Sequence, residues 1–425
     1  MSLTDTQEAA QVREAGGRRA HLWAMAAYGF VSGLPLPLSG FTLRLWLSVG
    51  GVSLAVIGLT ANIGLAYSLK FLWAPLLDQS APPGALARFG RRRGWLLAIQ
   101  PALAVAAVAL ALSNPMRSPM IPLAAGAVVA FLSASQDIVI DAWRIELFPP
   151  RLQGAAMAAY VWGYRSALLI STTGVIAAAA RIGWHAALLG VAALIAFGTV
   201  VTLLAPEPES AARQAVAGFA ARLRNAVLDP LAEFLLRPGA IGILIFVALF
   251  KLGEAMAGIM TAPFYRALGF TQDAIAATGP FSLVATLAGI TLGGWLVARI
   301  GVGRALLCTG WAQTIAMVMY VWLSLSAGNH HMLYGTVSVE AFAQGMADAA
   351  FITYLSGLCS IAFTATHYAL LSSVAALTVH TLGGFSGVLA AAVGWTHFYA
   401  LCSFAALPAM LLMMWLLRRY PPVEH

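Results

Sequence analysis

Twelve apolar segments, each close in length to a membrane-spanning helix, constrain this chain more than any other feature. A helix needs ~20 apolar residues to cross the hydrocarbon core of a bilayer. The chain is 60% hydrophobic and 9% charged, whereas soluble domains have about 25% charged residues. We therefore predict an all-α integral membrane protein. The predicted spans are His21–Leu47, Ala55–Leu77, Gly94–Ser113, Pro119–Asp141, Gln153–Ala178, Trp184–Ala205, Ala240–Phe264, Asp273–Ala298, Arg304–Ser326, His331–Gly357, His367–Val393 and Trp395–Leu417.

One long polar stretch divides the spans into two groups of six. The predicted organisation is a tail at 1–20, a six-helix half at 21–205, a linker at 206–238, a second half at 239–418 and a tail at 419–425. Gly51–Ile57 and Gly269–Ile275 form a weak internal repeat, with Ser53 and Thr271 as expected helix N-caps. Related halves around a linker are typical of major-facilitator transporters. The expected architecture is the major facilitator fold with 12 transmembrane helices, although the pattern alone also fits other polytopic folds.

The basic residues predict the orientation of the chain. With the N-terminus in the cytoplasm, 16 of the basic residues fall in cytoplasmic segments and only Arg117, Arg181 and Arg266 on the other side. Cytoplasmic loops are enriched in Lys and Arg, so both termini are expected in the cytoplasm. The same distribution accounts for the net charge of +8 without a nucleic-acid partner.

Ser135–Glu146 places charges at the end of an apolar run. Asp137, Asp141 and Arg144 are spaced i, i+4 and i+7, so they share one helical face. Charges facing lipid are costly, and this face is therefore expected to contact protein or water. A wet, charged face on a membrane helix indicates a polar pathway.

Other spans also carry polar or ionisable groups, and five of these residues are predicted to lie at broadly similar depth near the middle of the membrane: Lys70, Arg165, Lys251, Glu254 and Gln344. Lys70 and Arg165 have no carboxylate one turn away on their own helices, which favours an anionic solute. Lys251 and Glu254 either neutralise each other or serve the solute. Tyr160 and Tyr164 are packing aromatics or solute contacts. Glu340, Gln344 and Asp348 form a further stripe, spaced i, i+4 and i+8.

Charged residues at the cytoplasmic ends of spans are candidates for gating. Asp78 precedes the basic run Gly90–Arg93, which suggests a charge latch through Arg91 and Arg92, although plain positive-inside anchoring explains the run equally well. Asp141 and Arg144 are expected to form a second latch.

Catalytic and metal-binding patterns are missing from the sequence. The three cysteines have no paired spacing, and no His-Glu-x-x-His or Walker motif occurs. A membrane-embedded enzyme would need a nucleophile–base pair or a cluster of metal ligands, and a sensor would need a large soluble signalling domain. The prediction is a secondary transporter without a metal or cofactor.

Eight segments carry motifs in the order of a known family: Gly29–Leu36, Lys70–Leu76, Gly90–Leu97, Ser133–Trp143, Gly163–Arg165, Ala205–Pro208, Lys251–Glu254 and Phe363–Ser372. Together they resemble the AmpG-type muropeptide permeases, a branch of the major facilitator superfamily. The resemblance implies import of anhydro-muropeptides (GlcNAc-anhydroMurNAc and its peptides) across the bacterial inner membrane for cell-wall recycling, driven by the proton gradient. Siderophore permeases and acetyl-CoA transporters of the same branch are also similar, so a ferric siderophore or a CoA thioester is the alternative cargo.

The expected site follows from the ionisable residues within the predicted spans and from the family resemblance. The candidate substrate-binding residues are Lys70, Gln136, Tyr164, Arg165, Lys251 and Gln344. The candidates for proton coupling are Asp137 and Glu340, followed by Glu254 and Asp348. The candidates for gating are Asp78, Arg91, Arg92, Asp141 and Arg144. The expected partners are an anionic sugar-peptide and membrane lipid, and the protein is expected to be a monomer.

Overall fold

The computed structural model describes residues 19–148, 152–208, 235–236, 239–326, 328–358, 376–377 and 379–419. All regular structure in these ranges is helical, which confirms the predicted class. The helices are α1 Arg19–Val49, α2 Leu54–Leu69, α3 Arg91–Leu112, α4 Met120–Leu147, α5 Ala159–Ile182, α6 Trp184–Leu204, α7 Ala240–Ala267, α8 Gln272–Ile300, α9 Val302–Leu325, α10 His330–Gly357, α11 Val379–Val393 and α12 Trp395–Arg419.

Nine of the helices in the described ranges are long and apolar enough to cross a membrane: α1, α3 to α9 and α12. Two shorter apolar helices, α2 and α11, and the more polar α10 fall in the other predicted spans. The number of twelve crossings stays a prediction. The predicted tails, most of the linker and the Phe363–Ser372 motif lie outside the described residues.

The chain forms two compact units. The first contains the described parts of 19–39, 70–114 and 120–208. Here α3 packs against α4 and α6, and the core at one end is built around Tyr28, Leu96, Val139 and Trp143. Trp143 is fully buried and stacks edge-on against Tyr28, with ring centroids 4.9 Å apart. The core of the first unit therefore lies immediately beside the charged stretch of α4.

The second unit contains the described parts of 40–69, 115–119 and 235–419. Its α10 packs along both α8 and α9, and α9 also contacts α12. Stacked aromatic rings, including Phe250 and Phe351 with centroids 4.8 Å apart, fill the core at one end. The predicted N-cap Thr271 accepts a hydrogen bond from the Ala274 N–H at 3.2 Å, whereas Ser53 makes no capping bond.

Several helices are interrupted where polar residues occur. In α7, Lys251 separates Ala240–Phe250 from Leu252–Ala267. After α2, Lys70 begins a 3₁₀ segment, Lys70–Leu72, that precedes the short helix Ala74–Gln79. The middle of α5 contains a π-helical turn, Ile170–Gly174. Broken membrane helices expose backbone groups that need polar partners, and transporters use such breaks at their binding sites.

Candidate functional site

A hydrogen-bonded chain of three side chains forms the polar centre of the first unit. Ser32 donates to a carboxylate oxygen of Asp137, and its hydroxyl lies 2.7 Å from that of Tyr160. Since the single Ser32 proton is used on Asp137, Tyr160 is the donor to Ser32. The three residues come from α1, α4 and α5. This arrangement connects a membrane carboxylate to two hydroxyl groups that can relay a proton.

Two glycines bring α1 and α5 close enough for this contact. A side chain at Gly29 would begin 2.1 Å from the Tyr160 carbonyl oxygen, and one at Gly163 would begin 1.9 Å from that of Ala26. Only glycine permits such a close approach, and small residues allow membrane helices to pack backbone against backbone. The glycines in the Gly29–Leu36 and Gly163–Arg165 motifs therefore position Tyr160 against Ser32.

Lys70 lies at the edge of this centre, where α2 ends. Its charge acts on Asp137, although no ion pair to Lys70 is seen in the part of the chain that the structure describes. The adjoining segment is fixed by Trp73, whose indole N–H donates to the Ser135 hydroxyl at 3.0 Å. Among the described residues, Lys70 therefore acts on Asp137 at electrostatic range and not through an ion pair.

Tyr164 and Arg165 continue the site along α5. The rings of Tyr160 and Tyr164 stack with centroids 5.8 Å apart, and Arg165 acts electrostatically on Tyr164. Arg165 is exposed and forms no ion pair with any described residue. Lys70 and Arg165 therefore supply positive charge that carboxylates do not neutralise at contact distance.

Gln136 is placed differently from the other predicted binding residues. Its side chain is fully buried, and both ends of its amide lack a hydrogen-bond partner among the described residues. Three residues earlier on the same face of α4, the buried Ser133 hydroxyl is also unsatisfied. The amide points into the interior of the first unit in this conformation. Buried water commonly satisfies groups of this kind.

The second unit contains a denser ionic network around the break in α7. Lys251 donates to Glu254 at 2.7 Å and to Asp348 of α10. The Glu254 carboxylate also accepts from the amides of Gln313 and Gln344. Lys251 thus pairs with Glu254, which is one of the two alternatives that the sequence left open, and Asp348 is a second carboxylate on the same lysine. One cation between two carboxylates leaves a net negative charge.

Glu340 lies apart from these ion pairs. It is half-buried beside Tyr320 and interacts electrostatically with Lys251, Glu254 and Asp348. Gln344, which lies between Glu340 and Asp348 on the stripe of α10, donates to Glu254. A cavity of about 10 Å³, the size of one water molecule, lies beside Glu254, Gln313 and Thr314.

The helix ends of the first unit that are predicted to be cytoplasmic are held by a separate ionic cluster. Arg91 and Arg92 both contact Glu146, the former at 2.8 Å, and Arg92 is almost fully buried. Arg144 pairs with Asp141 at 3.7 Å, as predicted. The side chain of Asp78, the predicted partner of the arginines, lies outside what the structure describes.

Glu207 closes this cluster from the end of α6. Its two carboxylate oxygens accept the backbone N–H groups of Arg92 and Arg93, each at 2.9 Å, at the N-terminus of α3. A carboxylate at a helix N-terminus accepts hydrogen bonds from the free N–H groups, and its negative charge interacts favourably with the positive end of the helix dipole. Arg93 in turn donates to the carbonyl oxygens of Thr202 and Leu203. The Ala205–Pro208 motif therefore fastens α6 to α3.

Sequence reasoning missed four participants: Ser32, Gln313, Tyr320 and Glu207. All are joined to their partners by contacts between helices that are distant in sequence. A signal existed for two of them, since Ser32 and Glu207 lie in segments with recognisable motifs. Gln313 and Tyr320 stand alone in an apolar helix and carried no such signal.

Comparisons with known proteins agree with this geometry. The model of the Major Facilitator Superfamily matches residues 22–357. The chain is 38% identical over 389 residues to the anhydromuropeptide permease of Escherichia coli K12, covering 91% of this chain and 77% of that protein. It is 33% identical over 398 residues to "Putative transporter AmpG 4" of Rickettsia conorii, covering 93% and 96%.

Solved structures share the fold at low sequence identity. The nucleoside transporter NupG superposes with a TM-score of 0.73 at 16% identity, covering 94% of this chain and 99% of that one. The xylose transporter XylE of Escherichia coli superposes with a TM-score of 0.67 at 14% identity, covering 93% and 94%. These matches concern the architecture alone.

Proposed function

The chain belongs to the major facilitator superfamily, in its branch of AmpG-type muropeptide permeases, and on this basis we propose that it imports anhydro-muropeptides from the periplasm into the cytoplasm together with protons. The observation that carries the cargo is the 38% identity to the anhydromuropeptide permease of Escherichia coli, which extends over 91% of the chain. The proposed cargo is GlcNAc-anhydroMurNAc and its peptides. Its carboxylates suit a site with cations that carboxylates of the chain do not fully neutralise.

The proposed solute contacts begin in the first unit. Lys70 and Arg165 bind carboxylates of the cargo, because neither forms an ion pair with a described residue. Tyr164 lies next to Arg165 and offers an aromatic face for a sugar ring. In the second unit, Lys251 and Gln344 contact the solute only after releasing Glu254 or Asp348. Gln136 is buried in the interior of the first unit, so it contacts solute only if that unit rearranges.

The coupling mechanism follows from the charges. When an anionic group of the cargo binds Lys70, that cation no longer compensates Asp137, and the carboxylate takes up a proton through Tyr160 and Ser32. In the second unit, Glu340 lies outside the Lys251 ion pairs, and it is the second proposed proton carrier. Release of the cargo returns Lys70 to Asp137, which then gives up its proton to the cytoplasm.

The proposed location is the bacterial inner membrane, with both termini in the cytoplasm. The cytoplasmic cluster of Arg91, Arg92 and Glu146 would then act as a latch that changes during transport, with the pair Asp141–Arg144 beside it. The basic residues around these clusters support this orientation.

The direct test is uptake of labelled GlcNAc-anhydroMurNAc-peptide into cells that express the protein, or into membrane vesicles prepared from them. We expect accumulation above the external concentration, and its loss when a protonophore collapses the gradient. Uptake of a labelled ferric siderophore or a CoA thioester, without uptake of the muropeptide, would replace the proposed cargo. Muropeptide accumulation that persists without a proton gradient would refute the coupling.

A further inference from the structure

Arg44 is a membrane arginine that none of the roles described above uses. It lies in the outer half of α1 in the predicted orientation, and the second unit contains it. The segment that carries it, Phe41–Val49, packs against the Leu252–Ala267 segment of α7. Ionisable residues within membrane spans usually pair with an opposite charge and mark solute or ion pathways.

The guanidinium of Arg44 contacts only neutral oxygens. Its Nε donates to the Gly40 carbonyl oxygen at 3.2 Å, and its Nη1 donates to the Gly258 carbonyl oxygen at 3.4 Å. No carboxylate in the described residues pairs with it. An arginine has five N–H donors in a planar fork. Donors therefore remain for an anionic ligand, and the charge is uncompensated.

Arg44 is half-buried, and the surface of α7 that its guanidinium contacts is open. Gly258 is exposed, and no atom lies within 4 Å of the position where a side chain on it would begin. A second basic side chain, His380 of α11, lies within the electrostatic range of Arg44. Its ring packs against Gly64 and hydrogen-bonds to the Ala61 backbone, so α2 fixes its position.

We propose that Arg44 binds a carboxylate of the transported solute on the periplasmic side. The inference rests on the proposed function, because it assumes an anionic cargo arriving from the periplasm. A planar guanidinium binds a carboxylate through two parallel hydrogen bonds, and breaking its single long bond to the Gly258 carbonyl costs little. The carbonyl contact holds Arg44 in place until the cargo displaces it.

The test compares uptake kinetics of Arg44→Gln and Arg44→Lys with the unaltered protein in proteoliposomes. The probes are labelled GlcNAc-anhydroMurNAc-tripeptide and the same compound with its carboxyl groups amidated. Loss of a charge-assisted hydrogen bond predicts a rise in KM of about tenfold or more for the acidic probe in Arg44→Gln. The maximal rate should change less than about twofold, Arg44→Lys should be intermediate, and KM for the amidated probe should be the same in all variants.

Arg117→Gln is the matched control, because Arg117 is exposed and lies on the same predicted side. It should leave KM unchanged for both probes. Equal changes for acidic and amidated probes in Arg44→Gln would show that Arg44 only pins α1 to α7, and an unchanged KM for the acidic probe would show that it does not bind the cargo. If the unaltered protein transports neither probe, the proposed function itself fails, and the role of Arg44 falls with it.

Discussion

Lys70 and Lys251 are the two lysines of this chain, and their surroundings give them different roles. Lys251 is held by Glu254 and Asp348, so its charge is more than neutralised. Lys70 acts electrostatically on Asp137 and forms no ion pair with a described residue. Both lie where a helix is interrupted, so the backbone beside each can adjust. The first lysine is suited to bind an anion and the second to organise carboxylates.

Removing either uncompensated cation of the first unit should abolish uptake. We expect Lys70→Ala and Arg165→Ala to reduce muropeptide uptake by about 100-fold at low concentration, because each loses a charge-assisted hydrogen bond at the upper end of the usual range. Arg181→Ala, on an exposed arginine, is the control and should transport normally. Expression and thermal stability should match the unaltered protein. Unchanged affinity in both variants would remove the two residues from the site.

Neutralising the proton carrier should separate exchange from accumulation. Asp137→Asn and Glu340→Gln mimic the protonated side chains, so the cargo should still exchange across the membrane in a counterflow assay. Uphill uptake driven by a proton gradient should be lost in at least one of them, because nothing then carries the proton. Asp273→Asn, at the exposed start of α8, should retain both activities. If both site variants still accumulate cargo against a gradient, another group is the carrier.

At the scale of helices, the spacing of residues along the sequence indicated contacts within one helix. Contacts between side chains on different helices depended on how those helices cross. The spacing of Asp141 and Arg144 was sufficient to predict their pairing, and that of Lys251 and Glu254 made a pair one of two alternatives. The contact between Lys251 and Asp348 joins positions 97 residues apart, and that between Ser32 and Asp137 joins positions 105 apart. Such contacts depend on which helices cross and where. Gly253 lies two residues after the break at Lys251, but a single glycine is tolerated within a helix, so the sequence did not predict the break either.

Gly163→Ala should separate α1 from α5 and disrupt the Ser32–Tyr160 contact. The added methyl group would lie 1.9 Å from the Ala26 carbonyl oxygen, so the backbones must move apart. Overpacking of this kind costs about 1–3 kcal/mol, and we expect a lower Tm in detergent together with reduced uptake. Gly190→Ala in α6 is the matched control, since no atom lies within 4 Å of its new methyl group. Equal stability of the two variants would contradict the close crossing.

At the scale of the whole molecule, the composition and the distribution of basic residues carry most of the prediction. The chain has only 16 acidic residues among 425. Of the described candidates for proton coupling, Asp137 lies in the first unit and Glu254, Glu340 and Asp348 lie in the second. The remaining apolar surface is what a bilayer requires. The low number of charged residues predicted a membrane protein, whereas the proposal of the cargo depended on sequence motifs and on relatives.

The orientation of the chain can be tested with two exposed arginines. Arg88 precedes α3 on the predicted cytoplasmic side, and Arg117 lies between α3 and α4 on the predicted periplasmic side. In a full-length background with the three native cysteines replaced by serine, we expect Arg117→Cys to react with a membrane-impermeant maleimide in intact cells. Arg88→Cys should react only after the membrane is permeabilised, because α3 separates the two positions by one crossing. The opposite labelling pattern would invert the topology, and with it the assignment of Arg44 to the side from which the cargo arrives.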